Sequence, residues 1–94
     1  MSCVALVGGV GKMEARYREI AQARGLTLHH YERSMPPLAL RPALVLVVAA
    51  VVSHPQREQA ERLAVAAKCP IVYLRTASQS AVRDALNKQL GGGR

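Results

Sequence analysis

The chain has 94 residues, half of them hydrophobic, and a formal net charge of +7 from 13 Lys and Arg against 6 Asp and Glu. This length is typical of one domain and is too short to enclose a deep cavity. The hydrophobic content excludes a disordered chain. We therefore expect a single domain over residues 1–90 and a flexible tail over residues 91–94.

The first half of the chain predicts a strand, a helix and a second strand. Residues 3–7 are apolar and are followed by glycines, as at a turn from a strand into a helix. Apolar side chains recur at helical spacing around Tyr17 in residues 12–24, and Gly25 is a typical helix end. Residues 26–31 form the second predicted strand.

The second half predicts two more strands, each followed by a helix. Residues 43–48 are a continuous run of Leu, Val and Ala, which is typical of a central parallel strand buried on both faces. A helix is predicted to begin at Pro55, because proline suits the first helical position, and to end near residue 68. Residues 71–74 are the fourth strand, and residues 78–90 are the last helix.

This alternation of strands and helices predicts the α/β class. We expect a small three-layer Rossmann-like or flavodoxin-like fold with three helices and a four-stranded parallel sheet in the order 2-1-3-4. One helix is missing, because residues 32–42 contain three prolines and have room for a single helical turn. Apolar sheet surface should lie beneath this loop, covered by a second subunit, an apolar ligand, or Met35, Leu38 and Leu40. We expect a homodimer.

The glycine-rich turn after the first strand, GGVGK, is close to two nucleotide-binding motifs but satisfies neither. A Walker A loop needs a glycine where Leu6 stands and a hydroxyl where Met13 stands. The dinucleotide fingerprint fails as well, because Glu14 would place a carboxylate where the helix must open towards the pyrophosphate. We therefore expect neither ATP nor NAD. Two interpretations remain: a helix N-terminus that accepts a phosphate or carboxylate, or a plain turn.

Charge and apolar patterning limit the partners and the location. The basic residues are scattered and lack an aromatic stacking platform, so nucleic acid is less favoured than a small anionic ligand. The longest apolar run, near residues 42–52, is shorter than the roughly 20 residues of a membrane helix. No signal peptide is visible, and Cys3 and Cys69 show no metal-ligand spacing. These features predict a cytoplasmic protein with reduced thiols and no membrane partner.

Polar residues gather at the predicted ends of the strands, where open α/β sheets bind their ligands. They are Gly8, Gly9, Lys12, His29, His30, Tyr31, Ser53, His54, Arg75, Thr76, Ser78 and Ser80. His29 and His30 face opposite sides of the sheet, so at most one of them belongs to a given site. His30 and His54 are candidate ligands for a metal or haem iron, although either can instead be structural. Zinc is disfavoured by the lack of paired ligands.

The motifs V-G-G, R-Y-R-E, H-H-Y, V-S-H and L-R-T-A-S-Q-S, in this order, resemble the bacterial domain-of-unknown-function family twenty-three twenty-five. The resemblance implies a Rossmann-like fold and a link to haem binding or iron physiology, without an established reaction. The residues that match the family pattern are Gly8, Gly9, Arg16, Tyr17, His30, Ser53, His54, Arg75, Ser78 and Ser80. Two departures stand out: Glu32-Arg33 replaces a double glycine, and Ala50 and Val51 replace an Asp and often a Cys.

These observations predict a non-catalytic protein that binds an anionic cofactor, with haem as the first candidate. His54 or His30 would ligate the iron, Lys12 and Arg75 would pair with the propionates, and residues 49–52 would supply apolar contact. One alternative is a regulatory or scaffold module for a partner protein or nucleic acid. Another is an enzyme acting on a phosphorylated small molecule, which is less favoured because no general base is well placed.

Overall fold

The computed structural model describes residues 2–90, so the predicted tail at 91–94 lies outside the described part of the chain. The described part contains one sheet and three α-helices. The strands are β1 (Ser2–Val7), β2 (Leu26–Tyr31), β3 (Leu44–Val48) and β4 (Ile71–Leu74). The helices are α1 (Glu14–Gln22), α2 (His54–Ala67) and α3 (Gln79–Gln89).

The four strands are all parallel, and their order across the sheet is β2-β1-β3-β4. The predicted fold class and strand order are therefore confirmed. Because the strands are parallel, their carboxyl ends lie at one edge of the sheet. We call this edge, with the first turns of the helices that follow, the rim; it comprises residues 8–13, 32–34, 49–54 and 75–80.

Helices cover both faces of the sheet. α1 and α3 pack on one face, over a cluster that includes Leu6 and Leu46. α2 packs on the other face, over Val47 and its neighbours. All five residues of β3 are buried, as its unbroken apolar sequence predicts for a central strand. Within residues 2–90, no helix is both long and apolar enough to cross a membrane.

Two of the three helices, α2 and α3, begin at a serine whose side chain caps the first turn. At α2, Ser53 Oγ accepts from the Gln56 amide at 3.2 Å, and Gln56 Oε1 accepts from the Ser53 amide at 3.1 Å, which is a capping box. At α3, Ser78 Oγ accepts from the Ala81 amide at 3.1 Å. α1 lacks such a cap, and a 3-10 turn over Gly11–Met13 leads into it. The first helix therefore begins two residues later than predicted.

The loop that replaces the missing helix is fixed to α2 by two glutamines, one of which, Gln59, donates from Nε2 to the carbonyl of Pro36 at 3.2 Å. The buried Gln56 side chain places Nε2 within 3.1–3.3 Å of the carbonyl oxygens of Tyr31, Glu32 and Ser34. Carbonyl groups that leave a sheet edge need donors, and the two N–H groups of the Gln56 side chain are shared among these three, while the Gly8 amide also donates to Tyr31 at 2.9 Å. The path of the chain after β2 is therefore determined by α2.

The sheet face beneath this loop is only partly covered. Leu40 packs on the α2-side cluster, whereas Met35 and Leu38 stay exposed. Of the three side chains expected to fold back, only Leu40 does so. His29 and Tyr31, which project from β2 on this side, are half-buried, and burial raises the pKa of Tyr31. Part of the β2 surface therefore remains accessible.

The two cysteines lie on the same face of the sheet, with the chain at Ala43 between them. Ala43 donates its amide to the carbonyl of Cys3 at 2.8 Å, and extending the β3–β4 register by two residues brings Cys69 to the other side of Ala43. Two strand spacings amount to about 9–10 Å. A disulfide needs Cα atoms within about 7 Å, so this pair is too far apart.

We therefore expect both thiols to survive air oxidation of the native protein. Burial raises the pKa of Cys3 and of Cys69, which lowers the thiolate fraction at neutral pH. Ellman's reagent should react with two thiols per chain, more slowly in the native protein than in denaturant. The denatured protein is the control for total thiol content. A mass loss of two hydrogens after oxidation of the native protein would contradict this arrangement.

Candidate ligand-binding rim

The loops after β1 and β3 are in direct contact at the centre of the rim. Gly8 has φ +89°, and a Cβ atom added to it would lie 2.8 Å from Val52 Cγ1. The loop after β3 is joined in turn to β4, because the Ala49 amide donates to the carbonyl of Leu74 at 3.1 Å. The strand order therefore brings three of the four strand ends into one connected surface.

Tyr17 connects the glycine-rich turn to the loop before α3. Its side chain is fully buried, and its hydroxyl donates to the carbonyl of Ala77 at 2.6 Å. The same oxygen accepts a long hydrogen bond from the Val10 amide at 3.4 Å. Tyr17 therefore holds two rim loops together from inside the core, which is a structural role and not a surface for a ligand.

His30 is turned inward and is fully engaged by the protein. Its side chain is 0% exposed, Nε2 donates to the carbonyl of Gly8 at 2.6 Å, and Nδ1 lies 3.0 Å from Oε1 of Glu14. The ring also meets Tyr17 edge-on, with centroids 5.5 Å apart. Neither ring nitrogen is left for iron. We therefore remove His30 from the candidate iron ligands.

His54 has the opposite environment. Its side chain is 83% exposed at the start of α2, and Nε2 lies 3.3 Å from Oε2 of Glu58. Val51, three residues earlier in the chain, is 59% exposed, and Ala49 and Ala50 are exposed as well. The imidazole and the apolar side chains of this loop are thus each exposed and available to an external ligand.

The start of α3 gathers hydroxyl groups and a cation. Ser78 Oγ lies 3.1 Å from Thr76 Oγ1 and 3.4 Å from Ser80 Oγ. These residues and Arg75 are exposed, and the first turn of α3 contains no acidic residue. Hydroxyl donors, a guanidinium and the positive end of a helix dipole favour a bound anion.

The start of α1 presents free amides but also a carboxylate. Within residues 2–90, the amides of Gly9, Gly11 and Lys12 have no hydrogen-bond acceptor. A Cβ atom added to Gly11 would lie 2.5 Å from Oε1 of Glu32. The Glu32 carboxylate therefore rests against the turn that could otherwise receive an anion.

The predicted site residues thus divide into two groups. Lys12, His54, Arg75, Ser78 and Ser80 are exposed on the rim, and Ser53 is exposed there while capping α2. The residues that maintain the rim from within are Gly8, Gly9, Tyr17 and His30. Arg16 belongs to neither group, because it is exposed on α1 and pairs with Glu19 at 3.6 Å.

The sequence interpretation did not include two residues that shape the rim among the site residues. Gln56 was identifiable, because a Ser followed three residues later by a Gln is a capping-box pattern. Its contact with the loop after β2 has no local sequence signal. The approach of Glu32 to Gly11 has none either, because the two residues are 21 positions apart and meet only through the pairing of β1 with β2.

A polar cluster on the flank of α2 shows the other marked shifts in pKa. The Tyr73 hydroxyl donates to the Glu61 carboxylate, which lowers the pKa of Glu61 and raises that of Tyr73. The Arg57 guanidinium lies 4.9 Å from the centre of the Tyr73 ring. These side chains are largely exposed and join α2 to the edge strand β4.

Comparison with known proteins identifies a family without assigning a reaction. No curated protein matches this chain. A family model described as "Uncharacterized protein conserved in bacteria (DUF2325)" matches residues 3–89, which is nearly the entire chain. The small Rossmann-like architecture seen here agrees with the resemblance noted in the sequence. The chain therefore belongs to this uncharacterised bacterial family.

Proposed function

We propose that the protein is a non-catalytic binding protein for an anionic, partly apolar cofactor, and that haem is this cofactor. The observation that carries the proposal is the exposed His54 imidazole on the same rim loop as the exposed Val51 side chain. Exposed cations, Lys12 and Arg75, belong to the same rim. This combination suits a planar apolar ligand that has a metal centre and carboxylate arms.

The residues of the rim fit haem in three respects. Histidine is a common axial ligand of haem iron, and the exposed pair that His54 forms with Glu58 costs little to break. Val51 and Ala50 offer apolar contact to the macrocycle, and Lys12 and Arg75 are suited to pair with the propionates. When bound, haem supplies a redox-active iron centre. The protein side chains would bind the haem and orient it.

A rim this open covers only one side of a haem. We therefore propose that two copies of the chain enclose it as a homodimer. The half-covered β2 surface, with Met35 and Leu38 exposed nearby in sequence, supports such an association. The net charge of +7 disfavours self-association of the apo-protein, so an anionic cofactor between the copies would promote it.

Titration of the purified apo-protein with haemin tests the proposal. We expect a Soret shift that saturates at one haem per chain or per dimer, and we expect His54→Ala to abolish the ligated spectrum. Arg62→Ala is the control, because it removes an exposed side chain from the same helix but outside the rim. If the wild type gives no saturable shift, or if both variants bind equally, the haem proposal is wrong.

A second candidate ligand is a phosphorylated small molecule bound without iron. The observation that favours it is the hydroxyl cluster of Thr76, Ser78 and Ser80 beside Arg75 at the start of α3. This candidate would be favoured if the protein does not bind haemin but binds inorganic phosphate at these residues. Chemical-shift changes at the amides of residues 78–81 would report such binding.

A further inference from the structure

We infer that His30 is a proton-controlled latch on the glycine-rich turn: when its ring loses a proton, the peptide between Gly8 and Gly9 turns over. The inference goes beyond the proposed function, because it concerns the conformation of the turn and holds whichever ligand the rim binds.

The first step is the protonation state that the contacts of His30 require. Nε2 lies 2.6 Å from the carbonyl oxygen of Gly8, and Nδ1 lies 3.0 Å from Oε1 of Glu14. Arg18 donates to the other oxygen of Glu14 at 2.8 Å, as a guanidinium does to an ionised carboxylate. Both partners of the ring are therefore acceptors. A neutral imidazole donates from one nitrogen only, so the doubly protonated ring alone satisfies both contacts.

The second step is that nothing else replaces a lost contact. The His30 side chain is 0% exposed, and a buried polar group without a partner is costly. The Tyr17 hydroxyl, on the same side of the sheet, is committed to the carbonyl of Ala77. Within residues 2–90, no hydrogen bond joins His30 to the other titratable groups around the turn. These are His29 on the opposite face of β2, the exposed Lys12, and Glu32 against Gly11.

The third step is the freedom of the peptide that His30 contacts. Gly8 and Gly9 have φ values of +89° and +93°, and a Cβ atom added to Gly9 would lie 3.2 Å from Nε2 of His30. Glycine adopts φ of either sign at similar cost, so the peptide between two glycines can rotate with little strain. Within residues 2–90 the Gly9 amide has no acceptor, so the rotation breaks only the contact between the Gly8 carbonyl and His30.

Each protonation state of the ring thus has its own form of the turn. The doubly protonated ring donates to the Gly8 carbonyl, and the Gly9 amide points away from it. The neutral ring keeps its proton on Nδ1, towards Glu14, and its Nε2 accepts from the Gly9 amide once the peptide has turned over. Raising the pH therefore replaces a backbone donor with a backbone acceptor on the outer side of the turn.

A pH titration followed by NMR of the His30 ring nitrogens and the backbone amides tests the inference. The ring signals report the loss of the second proton, and the amide signals of Gly9 and Val10 should follow the same curve. Gly9→Ala should lower the midpoint of both curves by about one pH unit. The reason is that alanine disfavours the positive φ of the protonated form, whereas the turned-over peptide brings φ to about −90°, which alanine adopts readily.

Glu14→Gln should uncouple the turn from the pH. The glutamine amide is able to donate to Nδ1, so the neutral ring keeps its proton on Nε2 and continues to donate to the Gly8 carbonyl. The amide signal of Gly9 should then stay constant while the ring titrates. Glu19→Gln is the matched control, because it removes the same charge from an exposed position of α1 and should preserve the wild-type curves.

Four outcomes would overturn the inference. The ring carries a single proton at every pH at which the protein is folded, or it keeps both protons until the protein unfolds. Alternatively, the ring titrates without a matching change at Gly9, or Glu14→Gln gives the same curves as Glu19→Gln. None of these outcomes concerns haemin binding at His54, so the proposed function is tested separately.

Discussion

Replacing Tyr17 with alanine is expected to lower the free energy of unfolding by about 3–5 kcal/mol. The ring is completely buried among the side chains of α1, α3 and the sheet, and its hydroxyl donates to the carbonyl of Ala77 at 2.6 Å. A domain of this size has a total stability of about 5–15 kcal/mol, so the variant should be largely or partly unfolded at room temperature. Urea denaturation followed by circular dichroism measures the change.

Conservative variants separate the ring of Tyr17 from its hydroxyl. Tyr17→Phe keeps the packing but leaves the Ala77 carbonyl without its donor, which should cost about 1–3 kcal/mol. Tyr73→Phe is the matched control: it removes the hydroxyl of an exposed tyrosine and should change stability by less than about 0.5 kcal/mol. A Tyr17→Phe protein with wild-type stability but weakened ligand binding would refute the structural role and assign Tyr17 to the ligand.

Replacing Gly8 with alanine is expected to cost about 2–5 kcal/mol. Its φ of +89° is unfavourable for an L-amino acid by about 1–2 kcal/mol. An added Cβ would also lie 2.8 Å from Val52 Cγ1 and 3.3 Å from Val48 Cβ, and such overpacking typically costs about 1–3 kcal/mol. Denaturant unfolding measures the loss, and the amide shifts of the loops after β1 and β3 should report their displacement.

Gly25 is the matched control for Gly8. It also has a positive φ, of +74°, but a Cβ there would meet no atom within 4 Å. Gly25→Ala should therefore show only the backbone cost, about 1–2 kcal/mol. The difference between the two variants isolates the contact between the loops after β1 and β3. Equal losses would mean that this contact is relieved by a small shift and does not constrain the rim.

Some residues of the family motifs support the rim from inside the protein, whereas others are exposed on it. The glycines, Tyr17 and His30 belong to the motifs that resemble the family, yet in this structure they hold the loops together from within. The exposed side chains of His54, Arg75 and Ser78 are the ones left for a ligand. A Tyr17 or His30 variant can therefore lose ligand binding because it is less stable. Its free energy of unfolding should be measured before the loss is attributed to a missing ligand contact.

The sequence by itself determined the architecture and most of the element boundaries. The unbroken apolar run of β3 predicts burial on both faces, and strand–helix alternation with right-handed crossovers leads to the order 2-1-3-4. Parallel strands end at the same edge, so the position of the rim followed from the strand order alone. These features were predictable because they depend on local periodicity and on general rules of chain connection.

Only the tertiary structure decided which polar side chains the rim exposes. Strand alternation separates His29 from His30, but α1, with Glu14 and Tyr17, packs against His30. Its two ring nitrogens are occupied by the Glu14 carboxylate and by the carbonyl of Gly8. The placement of Glu32 against Gly11 likewise depends on the β1–β2 register and on the hold of Gln56. Such contacts join residues far apart in sequence, so no local pattern of residues contains them.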